Sequence, residues 1–299
     1  MAFALLFLLS ILVVFTPQAS SSSIADNLWP LPLSFSEGSS TVSLDERSFS
    51  FDLTSSRPSQ ILIDASQRYT RLMFAHSAIS SSRPSSASPA PTAFSISVSV
   101  LDVDVPLALG VDESFELHVI NAKGGNITSA TVWGAMHAME TLSQLVTYDP
   151  SSASFVIPST PIAISDAPRF AWRGVLVDTA RHYITVPMIL HILDAMSYSR
   201  FNVMHWHMVD AQSWPLQLPS LPDFSRKGAF GPRAVYTQAD VQLIIAHATA
   251  RGIRVLPEVD VKFPAAHCKQ LTGLKAPVAV EYKPAAQAAQ LALAEAFAV

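Results

Sequence analysis

Arg173-Gly-Val-Leu-Val-Asp178-Thr-Ala-Arg181-His182 is a short apolar run of β type that ends in charged and imidazole side chains. The chain repeats this arrangement at His205-Trp-His207-Met-Val-Asp210-Ala-Gln-Ser-Trp214 and at Ile253-Arg-Val-Leu-Pro-Glu258-Val-Asp260. Segments of helical period lie between the runs. Pro187 to Tyr198 opens with proline, where the missing N–H is not needed. Thr237 to Arg251 carries Thr237 as its N-cap and is closed by Gly252. Strands alternating with helices build a parallel sheet or barrel, and a barrel gathers its functional side chains at the carboxyl ends of its strands. The expected class is therefore α/β, with residues 166–261 forming a parallel sheet or barrel. Asp210 to Val235, rich in proline, reads as a long polar excursion.

Upstream, residues 24–165 read as a separate small α/β (α+β) domain. Gln60 to Phe74 has apolar residues at helical spacing, and Ser80 to Pro91 is a Ser/Pro-rich loop. Phe94, Ile96, Val98 and Val100 alternate with serines as in a half-buried strand. Phe115, Leu117 and Val119 repeat that period, and Thr128 to Leu145 reads as a helix. His118 and His137 are read as structural histidines. Asn126-Ile-Thr128 is the chain's one N-glycosylation sequon and is expected to sit in a Gly-rich turn.

Residues 1–21 form an apolar run followed by small residues, expected to be a cleaved secretory signal rather than a membrane span. The destination would be extracellular, the cell wall, or a vacuole or lysosome. The Ala-rich stretch 262–299 breaks the strand–helix rhythm and reads as a divergent tail. Hydrophobic residues make up 49% of the 299 and charged residues 14%, enough apolar material for a buried core, and the net charge is −4. With no basic cluster, nucleic acid is excluded as a partner. Cys268 is the sole cysteine, so no disulfide can form within the chain.

The chemistry collects at the strand ends. Side chains alternate along a strand, so His205 and His207 face one way and Trp206 the other. Two readings stand: the imidazoles line the barrel and orient neighbouring acids, or they ligate a metal. Arg181 can fork onto sugar hydroxyls or pair with the nearby Asp178. Asp210 either meets a polar ligand or caps the following loop. Glu258 and Asp260 project together, as glycoside chemistry or charge neutralisation of Arg181 or Arg254 would require. Trp172 and Trp214 are candidate flat faces for a pyranose ring.

Together with Trp133-Gly-Ala-Met-His-Ala-Met-Glu-Thr-Leu-Ser-Gln144, the strings Trp172 to Tyr183, Asn202 to Pro215 and Arg251 to Asp260 resemble the β-N-acetylhexosaminidases of glycoside hydrolase family twenty. The Gln-Ser-Trp-Pro form is plant-like, and the resemblance runs from about residue 24 to Val261. It implies a small N-terminal α/β domain packed on the first part of a TIM (β/α)8 barrel that stays incomplete over residues 166–261. It also implies exo-removal of terminal N-acetylglucosamine or N-acetylgalactosamine from glycans, with the substrate's own acetamide as nucleophile and no cofactor. Full-length relatives imply a homodimer as one possible assembly. By resemblance, Arg181 grips sugar hydroxyls, Asp210 lies beside it, and Asp178, His205, His207, Glu258, Asp260 and His267 support them. Three departures follow. Ala211 replaces a second acid, Lys262-Phe-Pro-Ala-Ala-His267 replaces a Pro-Gly-His motif, and no adjacent Asp-Glu pair follows the strands. The expectation is a C-terminally truncated hexosaminidase, inactive alone. A sugar-binding fragment and a metal-dependent hydrolase using His205 and His207 are the alternatives.

Overall fold

The computed structural model describes residues 23–54, 57–75 and 93–260. The signal run, the Ser80 to Pro91 loop, His267, Cys268 and the tail lie outside the described residues. Two sheets organise the rest. The first joins β1 (Ser34–Leu44), β2 (Phe49–Leu53), β3 (Phe94–Asp102), β4 (Phe115–Asn121), β5 (Gly124–Thr131), β6 (Thr147–Asp149) and β7 (Ser154–Asp166). Its order is β1-β7-β4-β5-β3-β2, with β6 paired to β7. The β2, β3 and β5 strands run parallel, and the remaining pairings are antiparallel.

The period-2 pattern decides which face is covered. Ile96, Val98, Leu117, Val119 and Ile127 are fully buried beneath α1 (Gln60–Met73) and α2 (Val132–Leu145). Side chains of this size contribute about 1.5–3 kcal/mol each when fully buried. The expected helix at Thr128 begins instead at Val132, because β5 continues through Thr131, whose hydroxyl caps α2. The expected turn around Asn126 is also corrected, since Gly124 and Gly125 belong to β5. A Cβ on Gly124 would strike the Ser95 carbonyl, and one on Gly125 the His118 carbonyl. The glycines are there because two neighbouring backbones close on this strand.

The second sheet holds β8 (Gly174–Asp178), β9 (Val203–Val209) and β10 (Arg254–Val259), all parallel and in sequence order. Their crossovers contain α3 (Val186–Tyr198), the short α4 (Pro222–Gly228) and α5 (Gln238–Thr249). The β9 residues Met204, Trp206 and Met208 are buried in one cluster with Ile189, Leu193, Val241 and Ile244 from α3 and α5. Thr237 and Asp240 cap α5 reciprocally, and Gly252 follows at φ 71°. The excursion after Asp210 is not the polar loop expected. Trp214, Leu216, Leu218 and Tyr236 from it are buried in the same cluster.

Helix α2 is buried almost all round, because the second unit covers the side turned away from the first sheet. A polar seam joins the units at the amino ends of the parallel strands. Glu113 accepts from Arg173 Nη2 at 2.7 Å and from Asn202 Nδ2 at 3.3 Å. Arg200, also buried, pairs with Asp166 and Thr141 and lies over the Phe115 ring. Burial pushes the His137 imidazole well below its ordinary range, and the Arg200 and Arg173 charges add to this. Asn202 pins all three strands: its N–H donates to the Arg173 carbonyl, its carbonyl accepts from Arg254 N–H, and its Oδ1 accepts from Arg173 N–H at 3.0 Å.

Removing one partner of a buried ion pair leaves the other charge uncompensated. Glu113→Ala should therefore cost about 3–5 kcal/mol. Asn202→Ala removes a neutral amide while Glu113 keeps its Arg173 partner, and should cost about 1–3 kcal/mol. Urea unfolding of both variants checks the order, and a larger loss from Asn202→Ala would contradict this account of the seam.

Candidate functional site

The parallel register sets Asp178, His207 and Glu258 at one level, and Leu176, His205 and Leu256 at the level below. Trp206 faces the other way into the core, as the alternation predicted. Its indole Nε1 donates to Thr179 Oγ1 at 2.9 Å, which helps fix the strand's rotation. Its ring meets the edge of Tyr236, which stacks in turn on Tyr183.

On the open face, six side chains form one continuous row. Arg181, half-exposed, places Nη1 2.5 Å from Asp178 Oδ2 and Nη2 2.7 Å from Asp210 Oδ2. Asp210 Oδ2 lies 3.2 Å from His207 Nε2. His207 Nδ1 and His205 Nε2 both lie 2.7 Å from the same oxygen, Glu258 Oε2. Asp260, at the end of β10, is close enough for its charge to act on Arg181. The charged and imidazole residues expected from the sequence that lie among the described residues, Asp178, Arg181, His205, His207, Asp210, Glu258 and Asp260, are therefore brought to one end of the sheet.

Backbone groups hold the carboxylates in place. Asp178 Oδ1 accepts the N–H groups of Ala180 and Arg181, and Asp210 Oδ1 accepts that of Ala211. Ser213 closes the turn after β9: its hydroxyl donates to the Ala180 carbonyl at 2.6 Å, and its own carbonyl accepts from Asp210 N–H. Thr179 and Ser213 were missed as site residues. Their hydroxyls look like loop polarity in sequence, and only the strand geometry gives them their partners.

Some expectations are corrected. Trp214 is buried and packs on Phe224 at 4.7 Å. Trp172 stands just before β8, at the opposite end of the strands, with Arg254 over its ring at 5.6 Å. Neither tryptophan lines the row. Glu258 neutralises neither arginine but takes both imidazoles, so those nitrogens do not converge on an empty centre.

Charge follows geometry. Burial opposes ionisation of Asp178, but its bonds from Arg181 and the Ala180 and Arg181 backbone outweigh that and lower its pKa. The hydrogen bond from Ala211 N–H leads in lowering Asp210. Asp178 in turn leads in raising the Arg181 guanidinium. Burial works against the His207 cation, yet Glu258 and Asp210 together raise its pKa above the ordinary 6.5. Glu258 falls below 4.5, chiefly through His207. With a carboxylate oxygen at each ring nitrogen, His207 donates from both only as the imidazolium.

Known proteins resemble both halves of this arrangement. Residues 170–293 match the model of the glycosyl hydrolase family 20 catalytic domain, and residues 28–145 match that of a beta-acetyl hexosaminidase-like domain. Over these residues the chain is similar to glycosyl hydrolase family 20. Among its relatives, beta-hexosaminidase 1 of Arabidopsis thaliana is 37% identical over 272 residues, which is 86% of this chain and 50% of the relative. Beta-hexosaminidase subunit A1 of Dictyostelium discoideum is 40% identical over 194 residues, 65% of this chain and 35% of the relative. The chain thus spans half or less of these two relatives. Among solved structures, the chitobiase of Flavobacterium johnsoniae superposes with a TM-score of 0.65 at 29% identity, covering 79% of this chain and 34% of that one. The family 20 match at the carboxyl side runs into residues beyond those described.

The pairing of His207 with Glu258 has a defined pH window. His207, raised, contributes fully below its unfolded value near 6.5 and loses that contribution as pH rises through the folded value. Glu258, lowered, contributes above 4.5 and loses it as pH falls through its folded value. The pair is therefore tightest between pH 4.5 and 6.5. In an NMR titration the His207 ring should titrate above 6.5, and Glu258→Gln should move the midpoint down. An unmoved midpoint would remove Glu258 as the cause.

Proposed function

We propose that this chain carries the sugar-gripping side of a β-N-acetylhexosaminidase pocket, which takes a terminal N-acetylglucosamine or N-acetylgalactosamine of a glycan. The observation that carries this reading is the placement of the half-exposed Arg181 guanidinium between Asp178 and Asp210 at the carboxyl ends of parallel strands. A planar fork held by two carboxylates has its direction fixed before ligand arrives, and its remaining N–H groups can donate to vicinal hydroxyls. Asp210 is acceptor-only when ionised, so it receives a hydroxyl proton where Arg181 offers donors. His207 and Glu258 keep Asp210 in place, and His205 and Asp260 complete the polar surround.

In this reaction class the substrate's acetamide oxygen attacks the anomeric carbon, one acid orients the acetamide and another protonates the leaving oxygen. The barrel part of the sequence has no adjacent Asp-Glu pair for these tasks. General acid catalysis typically supplies about 10²–10⁴-fold, so the chain is assigned binding without appreciable hydrolysis when alone. The acidic window of the His207–Glu258 pair suits an acidic station of the secretory path. Among the described residues no helix is long and apolar enough to cross a membrane.

Isothermal titration with N-acetylglucosamine tests the reading. Binding should be measurable with the full chain and weakened about tenfold or more by Arg181→Met, which removes a charged fork but keeps a similar apolar stem. Release of p-nitrophenol from the p-nitrophenyl glycoside by the purified chain would overturn the assignment of inactivity. Equal binding by the parent and the Arg181 variant would overturn the pocket itself.

A further inference from the structure

Among the described residues, the first sheet has one face covered by helices and one that none of them covers, and the sequon lies at the middle of that open face. Asn126 stands in β5, paired with Ser97 on β3 and with His118 on β4. Two residues on, Thr128 pairs with Ser99 and Glu116 and, by the strand period, shares the face. The surrounding side chains are short or polar, and none of Ser95, Ser97, Ser99, Glu116, His118, Asn126 or Thr128 is buried. Ile127 between them is fully buried against the helices. Among the described residues, neither the Asn126 amide nor the Thr128 hydroxyl has a protein hydrogen-bond partner. A half-buried amide with no partner is a group the fold does not use.

We propose that Asn126 is the attachment point of an N-linked glycan that stands on this open face. The donor is a lipid-pyrophosphate-linked oligosaccharide. A bond forms between Asn126 Nδ2 and the anomeric carbon of the first sugar, and the carbon–oxygen bond to the pyrophosphate breaks. The pyrophosphate keeps the electron pair, and the amide gives up one proton. The strand period then fixes where the glycan goes. Shifting β5 by one residue would turn Asn126 toward α1 and α2, where a glycan cannot fit, so the modified strand accepts only the register observed. The inference stands apart from the sugar-binding reading, because it uses neither Arg181 nor the barrel strands.

The test is expression of the full chain behind a host secretory leader in a glycosylating eukaryotic cell, so that delivery does not depend on residues 1–21. Peptide N-glycosidase digestion in heavy-oxygen water should mark residue 126 as aspartate carrying one heavy oxygen. Asn126→Gln and Thr128→Ala should lose the glycan mass, and Thr128→Ser should retain it. Because attachment is read as mass, the result does not depend on whether a variant folds. On the unmodified sequence, endoglycosidase should remove the glycan without denaturant. A bare mass for the secreted parent chain would overturn the attachment, and release only after denaturation would overturn its place on the open face.

Discussion

Asn202 is the point on which the parallel sheet depends. It sits one residue before β9, and its backbone and side chain bond Arg173 before β8 and Arg254 at the start of β10. Three strands tied at one residue cannot slide past one another. His207 lies five residues on, roughly 16 Å away at ~3.3 Å per residue, so the pin at the amino end sets which side chains meet at the carboxyl end. A slip of one residue would turn His205 and His207 into the core and bring Trp206 to the open face. Glu113 of the first unit holds the same asparagine, so the first sheet helps set the register of the second.

That dependence runs through buried charge. Glu113, Arg173, Asp166 and Arg200 lie where the units meet, and an apolar seam of similar volume would be no less stable on general grounds. What the polar seam adds is direction. The Arg173 guanidinium reaches Glu113 from one nitrogen and the carbonyls of Arg200 and Phe170 from others. Each of these contacts has an angle as well as a distance, so the orientation of the units is narrower than apolar packing alone would impose. The fully buried stretch of α2 works with it, since its exposed side is capped by barrel residues such as Gly252, close to Met136 and Trp133.

Legibility in the sequence followed distance along the chain. The barrel strands were readable because apolar runs ended in His207, Asp210 and Glu258, and the helices because their caps were written locally at Pro187, Thr237 and Gly252. The first sheet was read only in part. Strands β3 and β4 alternate cleanly, whereas the serine-rich β1 and the glycine-led β5 carry little of the period. The excursion after Asp210 hid its apolar anchors because Trp214, Leu216 and Leu218, although two apart, stand among Pro215, Pro219 and Pro222, and Tyr236 follows only far along the chain. At the site, the participants were legible and the pairings were not. That Glu258 would take two histidines rather than an arginine depends on the register across β9 and β10, which has no local signature.

The shared oxygen of Glu258 also has a mechanical side. The β9–β10 ladder loses its regular step between Glu258 and Val259, where the backbone alone would let the strand tips splay. The two imidazole bonds to Glu258 bridge β9 and β10 just before that break, so the strand tips are tied by side chains while the other end of the sheet is tied by backbone amides. Protonation of Glu258 would weaken the first tie and leave the second untouched, so the two ends of the sheet answer differently to acid.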